Sequence, residues 1–125
     1  MTKHVFTIDD ERSIRDSFVL ALEDFDHLEV YEAENGLEGV KLAEQIKPDL
    51  VFIDLNMPVM NGVDAIKAIR ELHPEVPIYV VTAFAKMFFE QLHALQEENI
   101  AFEIAAKPMS MDQIQTIVST ILPAG

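Results

Sequence analysis

Asp54 follows four apolar residues, Leu50-Val51-Phe52-Ile53, and precedes Leu55-Asn56-Met57-Pro58, with Asn61-Gly62 behind them. A carboxylate at the end of a short apolar run is a candidate nucleophile, since carboxylates form covalent intermediates such as acyl phosphates. Alone, it could equally cap a loop. Three other stretches end in the same manner. His4-Val5-Phe6-Thr7-Ile8 leads into Asp9-Asp10, Ile78-Tyr79-Val80-Val81 into Thr82, and Phe102-Glu103-Ile104-Ala105-Ala106 into Lys107. Three carboxylates brought together repel and raise one another's pKa unless something compensates. A hard cation does so, and Mg²⁺ prefers about six oxygen ligands, with one or two carboxylates among them. Lys107 adds a fixed positive charge and Thr82 a hydroxyl donor. Such a set is equipped for phosphoryl transfer, with Asp54 as nucleophile and the cation, Lys107 and Thr82 neutralising the oxygens of the moving group.

These residues must reach one place, and the elements between them say how. Four apolar residues before Asp54 are too few for a helix and suit a strand buried on both faces. Ile14, Phe18, Leu22 and Phe25 recur at helical spacing, as do Leu37, Val40, Ala43 and Ile46. Val63, Ile66, Ile69 and Leu72 predict a third helix starting after Gly62, residues 86–97 a fourth, and Met111, Ile114, Ile117 and Ile121 a fifth. Leu28, Val30 and Ala33 alternate with polar residues, as on an exposed edge strand, and Phe102 to Ala106 carries a charge.

Strand and helix alternate throughout, which predicts an α/β fold with a parallel sheet covered on both faces. The first, third and fourth strands are apolar, and the second and fifth are half-polar. Edges at two and five match a flavodoxin-like doubly wound five-stranded parallel sheet of order 2-1-3-4-5 with five helices. Ligands in such sheets bind beyond the carboxyl ends of the strands, at the point where the order reverses. Asp9, Asp10 and Asp54 stand at that point.

Composition sets bounds. One domain over residues 1–125 is expected from the length. There are no cysteines, which excludes disulfides and thiolate chemistry. The formal net charge is −13. A nucleic-acid binder needs a basic footprint, so direct DNA or RNA binding by this domain is not expected. No apolar run approaches the roughly 20 residues of a membrane span, and nothing at the start resembles a signal peptide. A cytoplasmic domain is the expectation. The four histidines show no ligand spacing and read as structural or surface groups. The six methionines read as filler, Met87 aside.

Asp9-Asp10, the segment from Asp54 to Pro58 with Asn61-Gly62 behind it, Val81-Thr82-Ala83 and Ala106-Lys107-Pro108 stand in an order and spacing that resembles the receiver domain of two-component response regulators, over essentially the whole chain. The resemblance implies a phosphorylatable Asp54, served by a sensor histidine kinase, a histidine phosphotransfer protein or a small phosphodonor. It implies Mg²⁺ held by Asp10, Asp54 and the backbone carbonyl of Asn56, with Asp9 acting through water. It implies that Thr82 and Lys107 contact the phosphoryl oxygens, and that the domain is no enzyme beyond its own phosphorylation and dephosphorylation. Two positions depart from the family pattern. Ile104 replaces the frequent aromatic three places before the lysine, and Phe84 stands two after the threonine.

Two other classes are weighed against this reading. A pseudo-receiver would keep the fold as an interaction module without phosphorylation, and the complete set of Asp10, Asp54, Thr82 and Lys107 argues against it. An aspartate-dependent phosphohydrolase generally needs a second acid two residues after the nucleophile, and Asn56 stands there. Finally, Phe88, Leu92 and Leu95 suffice as the core face of the fourth helix, leaving Phe84, Met87 and Phe89 over. An output surface is therefore expected on the fourth helix, fifth strand and fifth helix, for a downstream protein or a second copy.

Overall fold

The computed structural model describes residues 2–83 and 85–124. Ten elements alternate along the chain: β1 (Lys3–Ile8), α1 (Arg12–Leu22), β2 (Leu28–Ala33), α2 (Gly36–Gln45), β3 (Leu50–Ile53), α3 (Gly62–Leu72), β4 (Ile78–Thr82), α4 (Phe89–Glu97), β5 (Glu103–Ala106) and α5 (Met111–Ile121). The five strands pair in parallel in the order β2-β1-β3-β4-β5. This is the predicted doubly wound sheet, with the half-polar strands at its edges.

The continuous apolar run of β3 has a direct cause. Successive strand side chains point to opposite faces. Leu50 and Phe52 join Val5, Phe18, Leu22, Ile114 and Val118 under α1 and α5. Val51 and Ile53 join Phe6, Ile8, Ile66, Ile69 and Leu95 under α2, α3 and α4. All four β3 residues are buried. Each such side chain contributes up to about 1.5–3 kcal/mol by leaving water.

All five helices differ in detail from the periodic reading. Gly36, Gly39 and Ala43 are the buried residues of α2, while Leu37 is only half-buried and lies outside the core clusters. The small residues matter because the helix lies close: a Cβ on Gly39 would sit 2.6 Å from Ile8 Cδ1. Leu72 ends α3 exposed, and in α5 Val118 is fully buried while Met111 is exposed. Phe25 lies beyond the end of α1 and stacks on His27. The fourth helix starts at Phe89, three residues later than predicted. Residues 85–88 form turns instead, with the Phe88 and Phe89 amides donating to the Ala85 and Lys86 carbonyls at 3.3 and 3.4 Å, and Phe88 at the N-cap offers no side-chain acceptor.

The histidines serve the structure. His27 Nε2 donates to the Leu122 carbonyl and His73 Nε2 to the Ala43 carbonyl, each at 2.8 Å. His4 lies 4.0 Å from Asp49, and His93 on α4 lies 3.2 Å from Glu97. No helix is long and apolar enough to cross a membrane among the described residues.

Candidate functional site

Three residues of the predicted site make the last hydrogen bonds of the sheet ladders. The Asp9 amide donates to the Ala33 carbonyl at 3.0 Å, and the Asp54 amide to the Ile8 carbonyl at 2.9 Å. The Lys107 amide donates to the Thr82 carbonyl at 3.2 Å, one residue beyond the Thr82–Ala106 pair. All strands are parallel, so these ends share one rim. The sequence order of the strands places β1 and β3 side by side, which brings Asp9 and Asp54 together.

At that rim the Lys107 ammonium lies 2.7 Å from Asp9 Oδ2, 3.3 Å from Asp54 Oδ2 and 3.8 Å from Glu11 Oε1. Asp9 and Asp54 are each only 3% exposed, and Thr82 is buried at the end of β4. Asp54 Oδ1 accepts from the Leu55 amide at 2.8 Å, and Asp9 Oδ1 from the Glu11 amide at 2.9 Å. Asp10 is exposed, and one oxygen each from Asp9, Asp10 and Asp54 lie within 4.8 Å of one another. Asn56 is exposed on the loop two residues past Asp54.

The electrostatics are unbalanced. Asp9, Asp10, Glu11 and Asp54 bring four carboxylates against the one ammonium of Lys107. Burial pushes the Asp54 carboxyl above its ordinary value; Lys107 opposes that rise and Asp9 adds to it. Burial alone would lower the Lys107 ammonium, but the hydrogen bond to Asp9 and the charges of Asp54 and Asp9 outweigh it and raise it. Lys107 thus stays charged in the neutral range.

The donor set fits a hard divalent cation. Each of the three residues offers a carboxylate oxygen, and these lie within 4.8 Å of one another, near enough to share one ion with the oxygen ligands that Mg²⁺ prefers. Among the described residues no histidine or cysteine joins the cluster, which suits a hard cation better than zinc or copper.

Some residues of the site were not singled out by the sequence reading. Glu11 has no role in the sequence reading. Gly62 enters it as part of the Asn61-Gly62 pair behind Asp54. In the structure Asn61 caps α3, accepting from the Asp64 amide at 3.0 Å, and Gly62 is pressed against the backbone of the site. Its amide donates to the Leu55 carbonyl at 3.0 Å, and a Cβ there would lie 2.1 Å from the Asp54 carbonyl oxygen. The signal was a glycine at a helix start, where other residues serve as well unless backbone must approach closely. Arg15, on which the sequence reading is silent, donates from Nη1 to the Asp9 carbonyl at 2.7 Å. Phe84 lies outside the described residues.

Known proteins resemble this chain along its whole length. A family model described as the response regulator receiver domain matches residues 5–119. Sporulation initiation phosphotransferase F of Bacillus subtilis is 28% identical over 98% of this chain and 96% of its own. A response regulatory protein of Vibrio cholerae is 35% identical over 92% of this chain and 46% of its own. The transcriptional regulatory protein YdfI of Bacillus subtilis is 40% identical over 64% of this chain, which spans 38% of that relative's length. Among solved structures, the chemotaxis protein CheY4 of Vibrio cholerae superposes with a TM-score of 0.81 at 26% identity, covering 98% of this chain and all of its own. The arrangement of strands and the acidic rim agree with these matches, and the chain belongs to the response regulator receiver domain family of two-component systems.

Proposed function

We propose that residues 1–125 form a single receiver domain that acts as a phosphoacceptor switch, with Asp54 as the residue phosphorylated. The observation that carries this reading is the Lys107 ammonium set between the buried carboxylates of Asp9 and Asp54, beside an acidic cluster that fits Mg²⁺. A carboxylate oxygen of Asp54 forms the new bond to phosphorus. The bond from phosphorus to the donor breaks, and its electron pair leaves with the donor's nitrogen or oxygen. Bound Mg²⁺ would supply charge neutralisation at the phosphoryl oxygens, held by Asp10, Asp54 and the Asn56 carbonyl with Asp9 acting through water. Lys107 neutralises a further oxygen, and Thr82, at the end of β4, donates to another. The donor is a sensor histidine kinase, a histidine phosphotransfer protein or a small phosphodonor, and the proposed place of action is the cytoplasm.

The state of Asp54 is read on the face of α4, β5 and α5. Phe89 is 69% exposed and Met87 66%, with Ile104 and Met111 also exposed nearby in these elements. A groove of about 200 Å³ runs between α4 and β5, lined by Phe89, Leu92, His93, Phe102 and Ile104. Large exposed apolar side chains in one region fit a partner surface, for a downstream protein or a second copy. Ile104 lacks an aromatic ring, so Thr82 acts by drawing the 82–86 segment toward the phosphoryl group.

With Mg²⁺ and acetyl phosphate or phosphoramidate, the protein gains one base-labile phosphoryl group, read by intact mass. Asp54→Ala takes up none. A phosphoryl group that persists on Asp54→Ala overturns the assignment. Amide chemical shifts with and without beryllofluoride test the output face. Changes reaching residues 82–92 and 102–108 support it, and changes confined to the loops after Asp10 and Asp54 refute it.

A further inference from the structure

Arg15 lies in the first half of α1, and its side chain is only 14% exposed. It turns back over the end of β1 and makes two contacts. Nε donates to Glu32 Oε1 on β2 at 3.3 Å, and Nη1 to the Asp9 carbonyl at 2.7 Å. The first contact ties a helix to an edge strand and would serve the fold alone. The second grips the backbone of the acidic site.

The Asp9 carbonyl and the Asp10 amide are one planar unit. Holding that plane, with the next amide, Glu11, held by Asp9 Oδ1, limits the directions in which the Asp10 side chain leaves the backbone. Asp10 needs such help. Its neighbour Asp9 is held by Lys107 and by the Glu11 amide. Asp10 is exposed and, among the described residues, takes no hydrogen bond or ion pair of its own. Yet its carboxylate reaches within 4.8 Å of the oxygens of Asp9 and Asp54. The backbone aims it there, and Arg15 holds that backbone on one side of Asp10 as the Asp9 side chain does on the other.

We infer that Arg15 is a positioning residue for divalent-cation binding, acting through the Asp9–Asp10 peptide to aim the Asp10 carboxylate. The inference rests on the receiver reading above. Groups that orient metal ligands from outside the ligand shell commonly account for about 10–100-fold in metal affinity. Simple electrostatics gives the opposite sign. A guanidinium near the site repels a dication, so its removal would tighten binding if charge alone mattered.

The test is a Mg²⁺ titration of wild type, Arg15→Gln, Arg15→Lys and Glu32→Gln, followed by amide chemical shifts, with melting temperatures taken in EDTA. Arg15→Gln is expected to bind Mg²⁺ about tenfold more weakly, near the lower end of that range. Arg15→Lys falls between, and Glu32→Gln stays close to wild type. At saturating Mg²⁺ the rate of phosphorylation by acetyl phosphate returns to within about twofold of wild type, because affinity is what changes. Affinity in Arg15→Gln equal to or tighter than wild type overturns the assignment. So does a loss in Glu32→Gln as large as in Arg15→Gln, or a rate deficit that persists at saturating Mg²⁺. Should the glutamine variant fail to fold, Arg15→Lys decides, and wild-type affinity there overturns the assignment. If wild type itself takes neither Mg²⁺ nor a phosphoryl group, the receiver reading falls. If wild type takes both and Arg15→Gln matches it, only the role of Arg15 falls.

Discussion

The helices after β3 and β4 follow strands that end in site residues, Asp54 and Thr82, yet they are held differently. The start of α3 is capped by the Asn61 side chain, and Gly62 is wedged against Asp54 and Leu55. Five residues of α3 are buried: Gly62, Val63, Ala65, Ile66 and Ile69. At its far end Arg70 donates to the carbonyls of Pro74 and Ala101 at 2.9 and 2.7 Å. The start of α4 has no side-chain cap, and only Leu92 and Leu95 are buried. Lys67 on α3 reaches Glu98, just past the end of α4, at 3.4 Å. The later helix is therefore tied at its C-terminal end and loosely held where it approaches the site. One side of the rim is a frame that fixes Asp54. The other has the low local stability that moving elements need.

Gly62→Ala should show the frame most strongly. A methyl group 2.1 Å from the Asp54 carbonyl oxygen has no room between two backbones. Destabilisation of about 3 kcal/mol is expected, at the upper end for overpacking, read by denaturant unfolding. A loss under about 0.5 kcal/mol, the size of an ordinary surface change, would mean that α3 is no more rigidly seated than α4.

Asp54→Asn comes next, with the opposite sign. The folded state holds Asp54 above its ordinary pKa, so it binds a proton more readily than the unfolded chain. Above that raised pKa the ionised group lowers stability, and the cost disappears as the pH falls below the ordinary value of 3.8. Lys107 keeps Asp9 as partner at 2.7 Å when Asp54 is neutral. The variant should therefore be more stable at neutral pH by about 1–2 kcal/mol, or several degrees in melting temperature without metal. The gain should shrink toward pH 4. A gain that does not change with pH would point to packing instead of charge.

Val59→Gly is smaller. Val59 has φ of 69°, a region costly for a β-branched residue, and its side chain is 75% exposed. Relief of about 1–2 kcal/mol, less the extra freedom of glycine in the unfolded chain, leaves about 0.5–1 kcal/mol of stabilisation. Thermal unfolding in EDTA reads it, and a loss of stability would show that Val59 contributes contacts that outweigh its backbone. Smallest of all is Phe89→Ala on α4, expected within about 0.5 kcal/mol. A loss above 2 kcal/mol would make Phe89 a core residue and remove the contrast between the two helices.

The sequence carried the sheet order because burial on two faces and burial on one leave different patterns. Leu50-Val51-Phe52-Ile53 reads as central, and Leu28 to Ala33 reads as an edge. Asp9, Asp10, Asp54, Thr82 and Lys107 were legible because each ends an apolar run, and parallel strands bring such ends together. Three-residue spacing was less informative in α2. Periodicity counts large apolar residues, and the contact to Ile8 is made where the side chain is absent, at Gly39. The start of α4 was misplaced because helical spacing does not report a missing cap. Arg15 and Gly62 were overlooked for a common reason. Both act on backbone atoms, Arg15 on the Asp9 carbonyl and Gly62 on the Asp54 carbonyl, and a sequence pattern of side chains leaves those contacts unseen.

The loop between β3 and α3 meets a second glycine as well. The Gly36 amide donates to the Met60 carbonyl at 3.1 Å, and a Cβ on Gly36 would lie 2.3 Å from that oxygen. With Gly62 at the end of the loop, the path from Asp54 to Asn61 is pinned at two backbone points contributed by different helices. Chain length there cannot be edited, since one added residue would lift the loop off both glycines. The segment between Thr82 and Phe89 precedes a helix with no side-chain cap. For anyone grafting a peptide or a reporter domain into this protein, an insertion in that segment would spare the fold at the cost of the motion proposed for it, and the six residues after Leu55 are the place to leave alone.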